Sequence, residues 1–443
     1  MSPARPHRVT DSAPPPRPRL TRALANRNYR LFFSGQSISL VGTWITRIAT
    51  SWLVYRLTGS ALLLGVVGFC GQIPTLVLAP IAGVLTDRWD RHRMLVVTQI
   101  LSMVQSVALA VLTLGGWITV AEILVLQVAQ GVINAFDTPA RQAFVVEMVN
   151  DRADLPNAIA LNSSMVNASR IVGPSIGGLI IGWVGEGWCF AIDAVSYLAV
   201  LASLQLMEVA RRARPRREDG EGMRAELRAG LEYVWRFLPV RRALLLLSLV
   251  SIMGMPYTVL MPAISANVLH GGAHTLGFLM TASGVGALAG ALYLAGRPSV
   301  LGLGRAMVVA SAAFGVGLVL FSFSRVVWLS LAILPLVGAG MMVTMAATNT
   351  IVQTVVDERL RGRVMAFYTM AFLGTAPIGS LLAGVAADRI GPELTIRVGG
   401  LLCIGAAGWF ALRLPAMRVM VRPIYVERGI LAAEIVDAGV KSG

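Results

Sequence analysis

The chain has 443 residues, 56% of them hydrophobic and only 14% charged, against roughly 25% charged in an ordinary soluble domain. Repeated apolar runs of about 20 residues, each long enough to cross ~30 Å of hydrocarbon, exclude a soluble globule and imply an all-α integral membrane fold. The net charge of +15 falls in basic segments that alternate along the chain, so it is read as topology and attraction to anionic membrane lipids rather than as a nucleic-acid partner.

In chain order, residues 1–28 are rich in Pro and Arg without an apolar core, and read as a disordered cytoplasmic tail rather than a cleaved signal. Six spans are expected over 29–55, 62–86, 94–114, 118–135, 158–184 and 189–207, forming an N-terminal half. Residues 208–242 then turn basic and polar. This linker is expected to hold an amphipathic helix on the inner surface, with Leu227, Leu231, Val234, Trp235 and Leu238 at roughly helical spacing. Six more spans are expected over 243–269, 276–295, 306–323, 327–353, 364–387 and 394–414, followed by a cytoplasmic tail over 415–443. The prediction is therefore twelve transmembrane helices in two six-helix halves. Arg-rich loops after the even-numbered spans put both termini in the cytoplasm.

Between spans two and three stands GVLTDRWDRHR, residues 83–93, whose Asp87, Arg88, Asp90, Arg91 and Arg93 require a membrane surface. Gly83 is read as allowing close helix approach, and Asp87 as capping a helix end or pairing with an Arg across the seam between halves. Topology alone is the alternative reading. Span five contains SRIVGPSIGG, in which Pro174 removes a helical hydrogen bond and Gly173, Gly177 and Gly178 thin the helix for kinking and packing, beside Ser169. Generic small-residue packing is the alternative here, as it is for Gly284, Gly286 and Gly290. Span four carries LQVAQGVINAF, with Gln127, Gln130 and Gly131. Polar crossings after spans four and ten, each leading to a Pro-containing helix of small residues, echo one another as duplicated halves would.

Together these stretches resemble the major facilitator superfamily, and more narrowly its bacterial drug and siderophore exporters related to the enterobactin exporter. Gly83, Leu85, Asp87, Arg88 and Arg91 match the signature gating loop, with Asp90 where a second Gly is usual. Ser169, Gly173, Pro174, Gly177 and Gly178 resemble the antiporter motif, with Ser169 at a common Gly position. Gln130 and Gly131 match an R-x-x-Q-G pattern whose Arg, associated in the family with proton coupling, is here Gln127. The resemblance implies a secondary transporter of the bacterial inner membrane that exports a small organic molecule by alternating access, with proton antiport as the energy source. Uptake of a nutrient, or lysolipid flipping, is the alternative within the same fold.

Arg47 and Arg170 lie inside apolar runs, where an exposed charge costs several kcal/mol, so each must face a cavity or a partner. The expected substrate cavity comprises Trp44, Arg47, Gln127, Gln130, Asn134, Asn162, Asn167 and Arg170 from the first half. Tyr257, Asn349, Tyr368 and Phe372, near Met253 and Met255, are expected to face the same point from the second. Tying helices together or pairing with a carboxylate is the structural alternative for each Arg. Two cations favour an anionic or zwitterionic cargo. Glu122, Asp137 and Asp193 are the coupling candidates, though Asp137 in FDTPAR reads first as a helix cap. Cys70, Cys189 and Cys403 read as buried thiols, and His270 with His274 as a loop pair rather than a metal site. No Walker sequence or catalytic constellation occurs, so neither an enzyme, a metal nor a cofactor is expected, and the transporter is expected to act as a monomer.

Overall fold

A computed structural model describes residues 22–149, 154–208, 223–297 and 299–431, and among these every regular element is helical. The first half comprises α1 (Arg27–Thr58), α2 (Ala61–Arg88), α3 (Arg91–Leu114), α4 (Val120–Met148), α5 (Leu155–Val184) and α6 (Glu186–Gln205). Local chemistry sets their ends. Asn26 caps α1 by accepting from the N–H groups of Asn28 and Tyr29 at 3.0 and 3.3 Å, and Gly59 closes it at φ 62°, where a side chain would be strained. Asp90 is the N-cap of α3, accepting from the Arg93 N–H at 3.0 Å. The residue that replaces a flexible Gly in the signature loop therefore starts the next helix.

The linker helix α7 (Met223–Arg236) precedes α8 (Leu238–Met253), α9 (Tyr257–Ala263), α10 (Ala273–Ala295), α11 (Leu303–Phe323) and α12 (Val327–Val355). These are followed by α13 (Glu358–Thr369), α14 (Ala376–Ile390) and α15 (Pro392–Glu427). On α7, Val234 is buried and Gly230 rests on Phe367 and Arg363 of α13, whereas Leu231 and Trp235 remain exposed.

Among the described residues, ten helical segments are long and apolar enough to cross a membrane. Helices α1 and α5, of 32 and 30 residues, lie outside that set. They have the length but carry Arg47, Arg170 and several Ser, Thr and Asn residues.

Four expected spans change. Span four does not stop at Ala135: α4 runs on through Pro139 to Met148, because Phe144, Val145 and Met148 are buried in a core shared with Phe32 and Leu95. Tertiary packing there outweighs the hydrogen bond that Pro139 forfeits. The seventh span is broken between α8 and α9 at Gly254–Pro256, and ends in a π-helical turn, Ile264–Val268. The eleventh is likewise divided, α13 passing into α14 through a π turn at Met370–Gly374. The last helix continues well past residue 414, to Glu427.

The pairings in the two halves repeat. In the first, α2 packs on α4, α3 on both α4 and α6, and α1 on α6; in the second, α10 packs on α12, α11 on both α12 and α15, and α8 on α15. This is the arrangement expected of a duplicated unit. The halves meet chiefly through α2 against α14 and α5 against α10.

Candidate substrate cavity

The seam between halves is tight at the end of the molecule remote from residues 22 and 431. There Asn267 donates to the Tyr55 hydroxyl at 2.5 Å, and Ser60 lies 3.4 Å from the Asp388 carboxylate. A methyl placed on Gly65 would meet the Gly384 backbone, and one on Gly277 would lie 2.5 Å from the Pro174 carbonyl. Further along α5, the Ser175 and Thr281 hydroxyls are 2.6 Å apart and Thr281 donates to the Ile171 carbonyl at 2.9 Å. Backbones approach this closely only because glycines line both sides.

The SRIVGPSIGG stretch builds two faces of this packing. Gly173 and Gly177 lie against Trp44 and Ile45 of α1, while Gly178, with the Pro174 carbonyl, meets Gly277 of α10. Ser169 is buried beside them. Residues four apart share a helix face, so 173 and 177 serve one neighbour, and 174 and 178 the other.

Inside the seam, α1 touches α2, α5 and α6 of its own half and α9 and α10 of the other. Arg47 is thus surrounded by helices from both halves, yet its side chain is exposed. Its guanidinium lies 5.1 Å from the Trp44 ring centroid and within electrostatic reach of Arg170. Arg170 in turn acts on Tyr257, whose hydroxyl is 2.6 Å from that of Ser283. Among the described residues neither Arg47 nor Arg170 has a carboxylate partner. Tyr257 itself is buried in the core, so the groups open to a ligand are the Arg47 guanidinium and the Trp44 indole face, with Arg170 in electrostatic reach, a set able to take a carboxylate through charge-assisted hydrogen bonds and an apolar moiety by stacking.

The other expected cavity residues divide. Gln127 packs over Gly71 of α2. Gln130 donates to Asn134 at 3.1 Å and to Ser102 of α3 at 3.3 Å, and so ties α4 to α3. Asn162 and Asn167 are half-buried on α5, with the Asn167 amide turned back to the Ser163 carbonyl at 2.9 Å. Asn349, Tyr368 and Phe372 gather around α12, α13 and the π turn that follows, and Phe372 also packs on the main core that holds Tyr257. Asn349 accepts from Gln353 at 2.5 Å, Tyr368 donates to the Met345 carbonyl at 3.2 Å, and the Phe372 carbonyl accepts from Ser251 at 2.8 Å. Tyr368 is buried in a satellite core with Val234, and Phe372 packs against it. Of the second-half candidates, Tyr257 alone has an interaction with the arginines among those described.

The described contacts of the 83–93 stretch fall in the first half. Arg91 pairs with Glu147 of α4 at 2.7 Å, His92 contacts the Leu204 carbonyl at 2.8 Å, and Leu85 packs on the core around Phe144. Among the described residues a methyl on Gly83 would meet nothing within 4 Å, so no close helix approach of the expected kind is seen there. The side chains of Asp87 and Arg88 lie outside the described set.

Among the acids, Glu122 closes a capping box with Thr119, its carboxylate accepting the Thr119 N–H at 2.9 Å. Asp137 is not a helix cap, because α4 runs through it. Its buried carboxylate accepts from Thr98 at 3.0 Å and Gln99 at 2.8 Å and pairs with Arg141 at 3.4 Å. Asp193 is buried where α1, α3 and α6 meet, accepting from Thr46 at 2.9 Å and Ser106 at 2.8 Å. Only neutral hydroxyls contact it among the described residues. Sequence reading did not anticipate the bidentate pair of Arg56 with buried Glu186, at 2.7 and 3.2 Å, which ties the end of α1 to the start of α6. An isolated Arg and Glu at the same-side ends of two apolar runs were the available signal.

A family model described as transmembrane secretion effector matches residues 21–430. The chain belongs to that family of major facilitator transporters. It is 28% identical over 388 residues to the staphyloferrin A transporter of Staphylococcus aureus (strain NCTC 8325 / PS 47), covering 87% of this chain and 96% of the relative. It is 29% identical over 392 residues to the multidrug efflux pump Tap of Mycolicibacterium fortuitum, covering 86% and 95%. Among solved structures, a bacterial homologue of the human lysosomal transporter Spinster, inward-facing and unoccupied, superimposes with a TM-score of 0.65 at 14% identity, over 87% of this chain and 96% of that one. The nucleoside transporter NupG gives 0.67 at 13% identity, over 90% and 100%. The fold is thus that of the major facilitator superfamily, and the protein is a multi-pass membrane transporter of the efflux and secretion type for a small molecule.

Proposed function

We propose that this transporter exports an anionic or zwitterionic organic molecule, such as a carboxylate-bearing siderophore or a comparable drug, from the bacterial cytoplasm by alternating access. The observation that carries this reading is Arg47, exposed on a helix that packs against both halves, with Arg170 in electrostatic reach and neither paired with a carboxylate among the described residues. A staphyloferrin transporter among the relatives favours such a cargo. The seam packed at the end remote from residues 22 and 431 supports a state open toward the termini, which the basic loops place in the cytoplasm. Rocking the halves about the arginines would expose them to the other side.

Proton antiport supplies the drive in this proposal, and Asp193 is the favoured carrier. Asp137 is neutralised by Arg141 and Glu122 is occupied as a cap, whereas Asp193 is buried among hydroxyls next to Thr46, one residue from Arg47. Asp193 thus has no neutralising cation and no capping duty among the described residues, which leaves it as the acid available to carry a proton. Everted membrane vesicles test the proposal: cargo should accumulate when the lumen is acidic, and collapse of the pH gradient should abolish uptake. Accumulation in right-side-out vesicles instead would reverse the assigned direction, and indifference to the gradient would remove proton coupling.

A further inference from the structure

Away from the seam, α11 and α15 run side by side, with Gly315 against Gly400 and Gly304 against Leu414. Near the start of α11 they leave a groove of about 270 Å³ whose walls include Val308, Val309, Leu414 and Pro415, and which Arg305 and Arg418 also line. The surrounding surface is apolar and bare: Val309, Leu412 and Val419 are 67%, 83% and 73% exposed. Apolar side chains so exposed on a membrane protein face acyl chains.

The two arginines sit where their helices leave the hydrocarbon. Arg305 is the third residue of α11. Helix α15 has 36 residues, about 54 Å at the α-helical rise against ~30 Å of hydrocarbon, and Arg418 lies in its surplus. Both side chains are exposed, and neither has a hydrogen-bond or ion-pair partner among the described residues. Two unpaired cations at headgroup depth above an apolar furrow match one chemical species.

We propose that this groove binds an anionic phospholipid of the leaflet on the side of the termini, its phosphate between Arg305 and Arg418 and an acyl chain along Val308, Val309, Leu414 and Pro415. Basic pockets between membrane helices recognise anionic headgroups in this way. The apolar wall offers nothing to a free phosphate ion, and the paired cations repel the choline of a zwitterionic lipid. The proposal is independent of the cargo, since the groove lies on the outer face of one half.

Native mass spectrometry of the purified full-length transporter, incubated with equal phosphatidylglycerol and phosphatidylcholine, tests it. Wild type should retain phosphatidylglycerol preferentially. Each arginine near the surface contributes about fivefold, so Arg305→Gln with Arg418→Gln should lower retention about 25-fold, and each single change about fivefold. Arg305→Lys with Arg418→Lys, which keeps both charges, should retain most of the preference. Should the double Gln variant fail to fold, the single variants carry the same test. Undiminished phosphatidylglycerol retention in the Gln variants would overturn the proposal. So would an equal loss of both lipids, or displacement of the lipid by inorganic phosphate.

Discussion

Replacing Gly277 by Ala probes the closed end of the transporter directly. The added methyl would sit 2.5 Å from the Pro174 carbonyl oxygen, 3.1 Å from the Gly178 Cα and 3.4 Å from the Gly178 nitrogen. These are backbone atoms of α5 and cannot swing aside, so α5 and α10 must part by several tenths of an ångström. Overpacking of this kind costs about 1–3 kcal/mol. The cost falls on the state in which the halves meet at this end and vanishes when they separate, so the populations should shift about 5- to 150-fold toward the opposite state. Spin labels on Trp183→Cys of α5 and Phe278→Cys of α10, in a Cys70→Ser background, would report the separation by electron-electron resonance. A longer-distance population should grow in Gly277→Ala. Gly182→Ala is the control, because its methyl would meet nothing within 4 Å. Unchanged distances in Gly277→Ala, or equal shifts in both variants, would refute the reasoning.

Asp193→Asn should keep the bonds from Thr46 and Ser106 and therefore the fold, while transport loses its response to an imposed pH gradient; a retained response would move the coupling role elsewhere. Arg56→Ala strips the partner from Glu186, whose side chain is 7% exposed, and should cost roughly 1–3 kcal/mol of thermal stability, given that Arg56 is itself half exposed. Arg56→Lys should recover only part, because one ammonium cannot make both bonds. Asp90→Ala should cost about 1 kcal/mol through loss of the α3 cap, measured as a lowered unfolding midpoint in detergent; no change would mean that the cap is dispensable.

The helical class was legible because apolar runs of membrane-crossing length have few alternatives, and Arg47 and Arg170 because a charge within such a run demands an explanation. What escaped reading depended on partners distant in sequence. Pro139 carries a local signal to stop α4, but Phe144 and Met148 find a core made by other helices, and this overrides it. Asp137 looked like a cap for the same reason. The breaks at Gly254 and at Met370–Gly374 follow from packing between helices: a methyl on Gly254 would collide with Phe314. Nothing in local periodicity sets the register that brings Tyr55 to Asn267 or Ser175 to Thr281. The small-residue stretch of α5 was readable as packing; which of its glycines serves α1 and which serves α10 required the fold.

The central claim is that Arg47 and Arg170 recognise an anionic cargo between the two halves. Its most direct test is equilibrium binding by the purified transporter of a panel of carboxylate siderophores and lipophilic cations, compared between wild type and Arg47→Gln with Arg170→Gln. Wild type should bind a member of the carboxylate group, and the double variant should lose that binding at least about tenfold with its unfolding midpoint preserved, as befits the loss of two charge-assisted contacts. Selective binding of the cations, or carboxylate binding unchanged in the folded double variant, would contradict it.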